Sequence, residues 1–139
     1  MKKLLTLIAL CFGITSFACD NYIPNHKVCV SLEWVDGPFI NARGQRAFSS
    51  ARVTVTNLDG EARPFDGLQV YPWMIMSGGH QHGARPVVIN SEADGVYKVS
   101  EILMNEMMGV WQMRVALKPE GTFDPSNDFD LAFTIWSSN

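Results

Sequence analysis

The chain has 139 residues, 47% of them hydrophobic and 18% charged, with 11 basic against 14 acidic side chains and a formal charge of −3. That is one domain's worth of sequence, and four Trp, eight Phe and three Tyr exclude a disordered chain. No basic run is present, so neither nucleic acid nor an anionic membrane surface is an expected partner.

In chain order, the basic head Met1-Lys2-Lys3 leads into an apolar run over residues 4–17. Ser16 and Ala18 supply small residues at positions −3 and −1 of a cleavage site. Head, run and site together read as a secretory signal peptide over residues 1–18, too short for a membrane span with a stop-transfer flank. The mature chain, residues 19–139, is then a single exported domain, expected in the periplasm. Losing Lys2 and Lys3 with the signal makes it more acidic and less apolar than the full-length composition suggests. Cys11 also leaves with the signal, so Cys19 and Cys29 remain.

Two readings of that pair stay open. In an oxidising compartment an even pair forms a disulfide that pins the N-terminus. Alternatively, Cys19 is the first mature residue and carries a lipid anchor, its only route to a membrane. The lipobox is degenerate for that, with Ser16 where Leu is usual. A metal site on the two Cys is disfavoured, because only His26 lies between them.

After residue 26 the dominant pattern is alternation of period two. Val28, Val30, Leu32 and Trp34 share one face, with Ser31 and Glu33 on the other. Val53 and Val55 alternate with Arg52, Thr54 and Thr56, and the turn residues 57–60 close that run. Leu68, Val70, Met74 and Met76 fall on one side of the next run. Shorter candidates cover 85–90 and 96–102, joined by a turn-rich link at 91–95. Trp111, Met113, Val115 and Leu117 then alternate with Gln112, Arg114 and Lys118. The final run sets Phe129, Leu131, Phe133 and Ile135 against Asp130 and Thr134. Only residues 100–108 show a weak helical pattern. The expected class is all-β: an immunoglobulin-like antiparallel β-sandwich of about seven strands. A small barrel is the alternative.

Two of the three His and two of the seven Met fall in Met74-Ile75-Met76-Ser77-Gly78-Gly79-His80-Gln81-His82. Met74 and Met76 point the same way at a strand end. Gly78-Gly79 frees the backbone, and His80 and His82 follow on a loop bounded by Gly83. Met104, Met107 and Met108 cluster just before Gly109. Thioether sulfur favours Cu(I), while imidazole suits Cu(I), Cu(II) and zinc, so a mixed set points to copper. The segment lacks carboxylates, which argues against calcium, magnesium or manganese. The plainer reading is core filling, the natural role for Met74 and Met113. Met76, at a strand end, fits either role, and without a metal His80 and His82 are a solvated loop. His26 reads as a surface residue.

Residues 71–83 resemble the Met-x-Met…His-x-His-Gly motif of YtkA-like and FixH-like domains. Pro86, Gly95-Val96-Tyr97 and Met107-Met108-Gly109-Val110-Trp111 continue the resemblance in order and spacing, over roughly residues 52–117. The family implies an immunoglobulin-like sandwich near copper handling, including assembly of haem–copper oxidases. Carried over residue by residue, it implies Met76, His80 and His82 as ligands, with Met107 as the distal thioether. Two features depart from the family: Met108 stands where members often have Pro, and the membrane helix of FixH proteins is absent. The Met-x-Gly-x-Trp piece also has a purely structural reading, with Gly109 permitting a tight turn and Trp111 filling the core.

Catalysis finds no support in the sequence, and the chain is read as not an enzyme. Ser49-Ser50 and Ser137-Ser138 lie in no Gly-x-Ser-x-Gly elbow, and Cys29 has only His26 nearby. Asp128 and Asp130 read as a solubilising outward pair on the last strand. There is no phosphate-cradling loop and no His-Glu-x-x-His motif. Two functions therefore compete. One is a copper-binding or copper-delivery domain using Met76, His80, His82 and one of Met104, Met107 or Met108, with a cuproprotein or oxidase-assembly partner. The other is a metal-free adaptor or envelope interaction module whose Tyr71 and Trp73 contact a partner.

Overall fold

A computed structural model describes residues 19–118 and 124–137. The signal-peptide segment, residues 1–18, lies outside the described residues. The described chain is all-β. Its strands are β1 (Tyr22–Ile23), β2 (Val28–Asp36), β3 (Ile40–Asn41), β4 (Ser49–Thr56), β5 (Leu68–Met76), β6 (Gln81–Gly83), β7 (Val88–Ala93), β8 (Val96–Ile102), β9 (Met104–Asn105), β10 (Gly109–Leu117) and β11 (Leu131–Ser137). They form a five-stranded sheet in the order β1-β2-β4-β8-β7 and a four-stranded sheet in the order β11-β10-β5-β6, both antiparallel. A third sheet is the short parallel pair β3-β9. No helix long and apolar enough to cross a membrane occurs among the described residues.

Period-two alternation produces the two large sheets because each turns one face to a common core. Val30, Val53, Val55 and Val99 from one sheet pack with Val70, Met74, Trp111, Met113 and Val115 from the other in a single buried cluster. Each such side chain contributes on the order of 1.5–3 kcal/mol by leaving water. Pro72 interrupts neither sheet, although β5 is a central strand. Its carbonyl accepts the Ala84 N–H at 3.0 Å on the side away from β10. The proline nitrogen faces that same side, just past the end of β6, where no ladder bond is needed.

Several expectations are corrected. Eleven strands replace about seven, because β1, β3, β6 and β9 have only two or three residues and are made by pairing partners rather than by an alternating pattern. The link expected at 91–95 is mostly strand, since β7 runs to Ala93 and only Asp94 and Gly95 turn. The weak helical stretch at 100–108 holds the end of β8 and all of β9, where Met104 pairs with Ile40. Asp128 and Asp130 precede β11 instead of facing outward from it. Asp128 pairs with Lys118, and the Asp130 carboxylate accepts the Leu117 N–H at 2.8 Å.

Arg114 lies on the outer face that the alternation gives it, yet it is covered there. It is 3% exposed, because residues 124–130 fold over the outer face of the four-stranded sheet. Its guanidinium donates to the Pro125 and Ser126 carbonyls at 2.7 and 3.0 Å and to Gln112 Oε1 at 3.1 Å. The Trp73 and Phe129 rings flank it at 5.0 and 4.2 Å. Burial lowers the pKa of this guanidinium from its ordinary value.

Candidate metal centre

The hairpin joining β5 to β6 assembles the Met/His segment. Met76 N–H donates to the His80 carbonyl at 2.8 Å, closing the turn, and Met74 pairs directly with His82. Residues opposite each other in an antiparallel pair share a face, so Met74, Met76 and His82 lie on one side and Ile75 and Gln81 on the other, while His80 stands in the turn just before β6. That side is the core side, because Met74 and its β10 partner Trp111 are both buried. The two His therefore stand at the open rim of the core and are exposed. The His82 ring meets Trp111 edge-on with centroids 6.5 Å apart, and its Nδ1 lies 3.3 Å from the Gly83 carbonyl. The His80 ring leans over Gly78, its Cδ2 3.6 Å from where a Cβ would sit.

The residues before β10 join the same end. Gly109 pairs with Met76, and the Ser77 N–H donates to the Met108 carbonyl at 3.2 Å. Position 109 requires glycine: its φ is +150°, and a Cβ there would run into the Ile75 carbonyl. Met107 and Met76 both pack against the core from its half-buried edge, while Met108 is 72% exposed. Of the three thioethers in this cluster, Met104 lies deepest. It is fully buried, on β9. Met74 and Met113 are fully buried as well, in the core role their periodicity suggests. The fold thus brings Met76, His80, His82 and the backbone of Met107 to one end of the domain.

His26 lies elsewhere, packed edge-on against Phe65 with its Nε2 3.9 Å from Asp130. Among the described residues no group of three or more His, Cys, Asp or Glu side chains is placed to hold a metal ion. The hairpin offers two imidazoles, and the donors nearest to them in the chain are thioether sulfurs, a set softer than the oxygen donors that hard cations take.

The aromatic surface expected from Tyr71 and Trp73 is not formed as such. Trp73 is buried beneath Arg114, with its indole N–H bound to Gln81 Oε1 at 3.0 Å, and Tyr71 is half-buried. Cys19 and Cys29 are joined as a disulfide, with Cα atoms 5.7 Å apart, at the end remote from the Met/His hairpin. The family-like Gly-x-Tyr piece has a structural explanation. Gly95 has φ +67° and no room for a Cβ beside the Val55 carbonyl, while the Tyr97 hydroxyl donates to the Phe65 carbonyl and accepts its N–H.

Sequence reasoning missed the loop at 41–46. Asn41 is buried, and its side chain bonds the backbone of Ala47 twice and the Met104 carbonyl once. Nothing local marks an asparagine in an irregular loop as buried, so no sequence signal was available. Comparisons with known protein families, with curated proteins and with solved structures each return no match.

Proposed function

We propose that this chain is an exported copper-binding domain that holds Cu(I) at the end of the β5–β6 hairpin, through Met76, His80 and His82 with Met107 as a further thioether. The observation that supports this reading is the β5–β6 hairpin, in which Met74 pairs with His82, the Met76 N–H bonds the His80 carbonyl, and Gly109, two residues from Met107, lies opposite Met76. Two soft sulfurs at the core rim and two exposed imidazoles above them suit a cuprous ion that must also be handed on. A cuproprotein or an oxidase-assembly factor is the partner this chemistry fits, and no catalytic step is proposed.

The fold class belongs to the same proposal. Without the two-residue strands, the orders β2-β4-β8-β7 and β11-β10-β5-β6 match the A-B-E-D and G-F-C-C′ arrangement of immunoglobulin-type sandwiches. That agreement supports kinship with YtkA-like and FixH-like domains. The Cys19–Cys29 pairing supports an oxidising compartment such as the periplasm, and it occupies the thiol that a lipid anchor would need.

A second reading, the metal-free adaptor or interaction module, is favoured by one finding. The described residues lack a group of three or more His, Cys, Asp or Glu donors. Titration separates the two. With ascorbate as reductant, which spares the disulfide, Cu(I) is expected to bind below micromolar and to change Trp fluorescence through the His82–Trp111 contact. His80→Ala/His82→Ala is expected to weaken binding at least tenfold, about 1.4 kcal/mol or more. Met76→Leu is expected to do the same. No binding tighter than micromolar in either oxidation state, or binding indifferent to these changes, leaves the adaptor reading standing.

A further inference from the structure

We propose that the cleft between the 41–46 loop and residues 103–106 is a docking site for a carboxylate-bearing segment of a partner protein. The cleft encloses about 640 Å³ and is lined by Arg43, Arg46, Asn105 and Glu106 among others. Its floor is held in place. The β3–β9 pair, the Glu106 N–H to Asn41 carbonyl bond at 2.8 Å and the three Asn41 side-chain bonds fasten the loop to the sheet end. The rim is a turn, with the Gln45 N–H on the Ala42 carbonyl at 3.0 Å, and it carries two guanidinium groups.

Charge identifies the occupant. Arg52 and Arg85 are engaged by Glu92 and Glu101, and Arg114 is enclosed by the 124–130 segment. Arg43, Arg46 and, at the opposite end, Arg63 have no carboxylate within ion-pair distance among the described residues, and of these only Arg43 and Arg46 share a cleft. Paired guanidinium forks match carboxylates in geometry as well as charge. Phe39 and Phe48, on either side of the loop in sequence, are exposed, and so is Met108, two residues after Glu106. An apolar flank beside two cations fits a protein segment better than a free small anion. Met107 follows Glu106 of the lining in sequence, yet the docking does not depend on the metal.

The test uses the secreted protein and a short fluorescein-labelled peptide of alternating Glu and Ser, read by anisotropy at low salt. Binding is expected, weakening as salt is added because exposed charges are screened beyond about 10 Å at 0.1 M. Arg43→Glu/Arg46→Glu is expected to weaken it at least tenfold, whereas Arg63→Glu, at the opposite end, changes it less than twofold. Thermal melts and Cu(I) titration of the double variant check that the fold and the metal site are unaffected. Failure of copper binding with peptide binding intact would overturn only the metal reading. No anisotropy change at millimolar protein, an equal loss in Arg63→Glu, or displacement of the peptide by equimolar citrate or phosphate would overturn the docking proposal.

Discussion

At the end of the domain where Cys19, the 57–67 loop and residues 124–130 meet, ties are dense. A disulfide joins Cys19 to Cys29, Tyr97 clamps the Phe65 backbone from both sides, Lys118 bonds the Gly67 carbonyl and Asp130 holds the Leu117 N–H. At the other end the backbone is equally well fastened, but several side chains with chemistry to offer are exposed. His80, His82 and Met108 are exposed around the β5–β6 turn, and Arg43 and Arg46 line an open cleft. Exposed Val35, Phe39, Phe48 and Val88 also belong to this end. At the first end most of these polar groups bond within the chain, and at the second more of them face solvent. Function is therefore sought at the second end, and stability variants at the first should leave it intact.

The largest expected effect breaks the open end from within. Gly109→Ala would push a Cβ into the Ile75 carbonyl beside Met76, costing on the order of 3 kcal/mol in urea denaturation and loosening any metal site with it. A loss below about 0.5 kcal/mol would contradict the close approach. Next, Cys19→Ser/Cys29→Ser removes a crosslink spanning ten residues, with an expected loss of about 2–3 kcal/mol. Copper and peptide titrations of that variant should match the parent, and a parallel loss of either would show that the two ends are coupled.

Arg114→Met removes the bonds to Pro125 and Ser126, and about 2 kcal/mol is expected to go with them. Amide exchange should quicken over residues 124–130 and change less around Gln81, whose Oε1 also accepts from the guanidinium at 3.4 Å. The smallest effect is a pH dependence confined to the same segment. The Ser126 hydroxyl and backbone N–H hold the Asp124 carboxyl below its usual range. A depressed folded-state pKa stabilises above the unfolded value and is lost as pH falls through the folded one, so the turn should loosen only in acid below about pH 4. Asp124→Asn should remove that acid dependence of exchange at Ser126 and Asn127.

Alternation of apolar residues was enough to locate the long strands, because side chains of a half-buried strand reverse face at every residue whatever the rest of the fold does. It also assigned Met74 and Met113 to the core, and the tight spacing of Met76, His80 and His82 marked a candidate site before any fold was known. Strands of two or three residues are too short to carry a period, so β1, β3, β6 and β9 emerge only when a partner supplies their hydrogen bonds. Tertiary contacts likewise separated three neighbouring thioethers into one core residue, Met104, one rim residue, Met107, and one exposed residue, Met108. They also buried Arg114 beneath a returning segment and left Arg43 and Arg46 uncovered. Local sequence sets which way a side chain points along its own strand. What lies across from it is decided by chain distant in sequence, which is why the burial of Met104, Met107 and Arg114 depends on the fold.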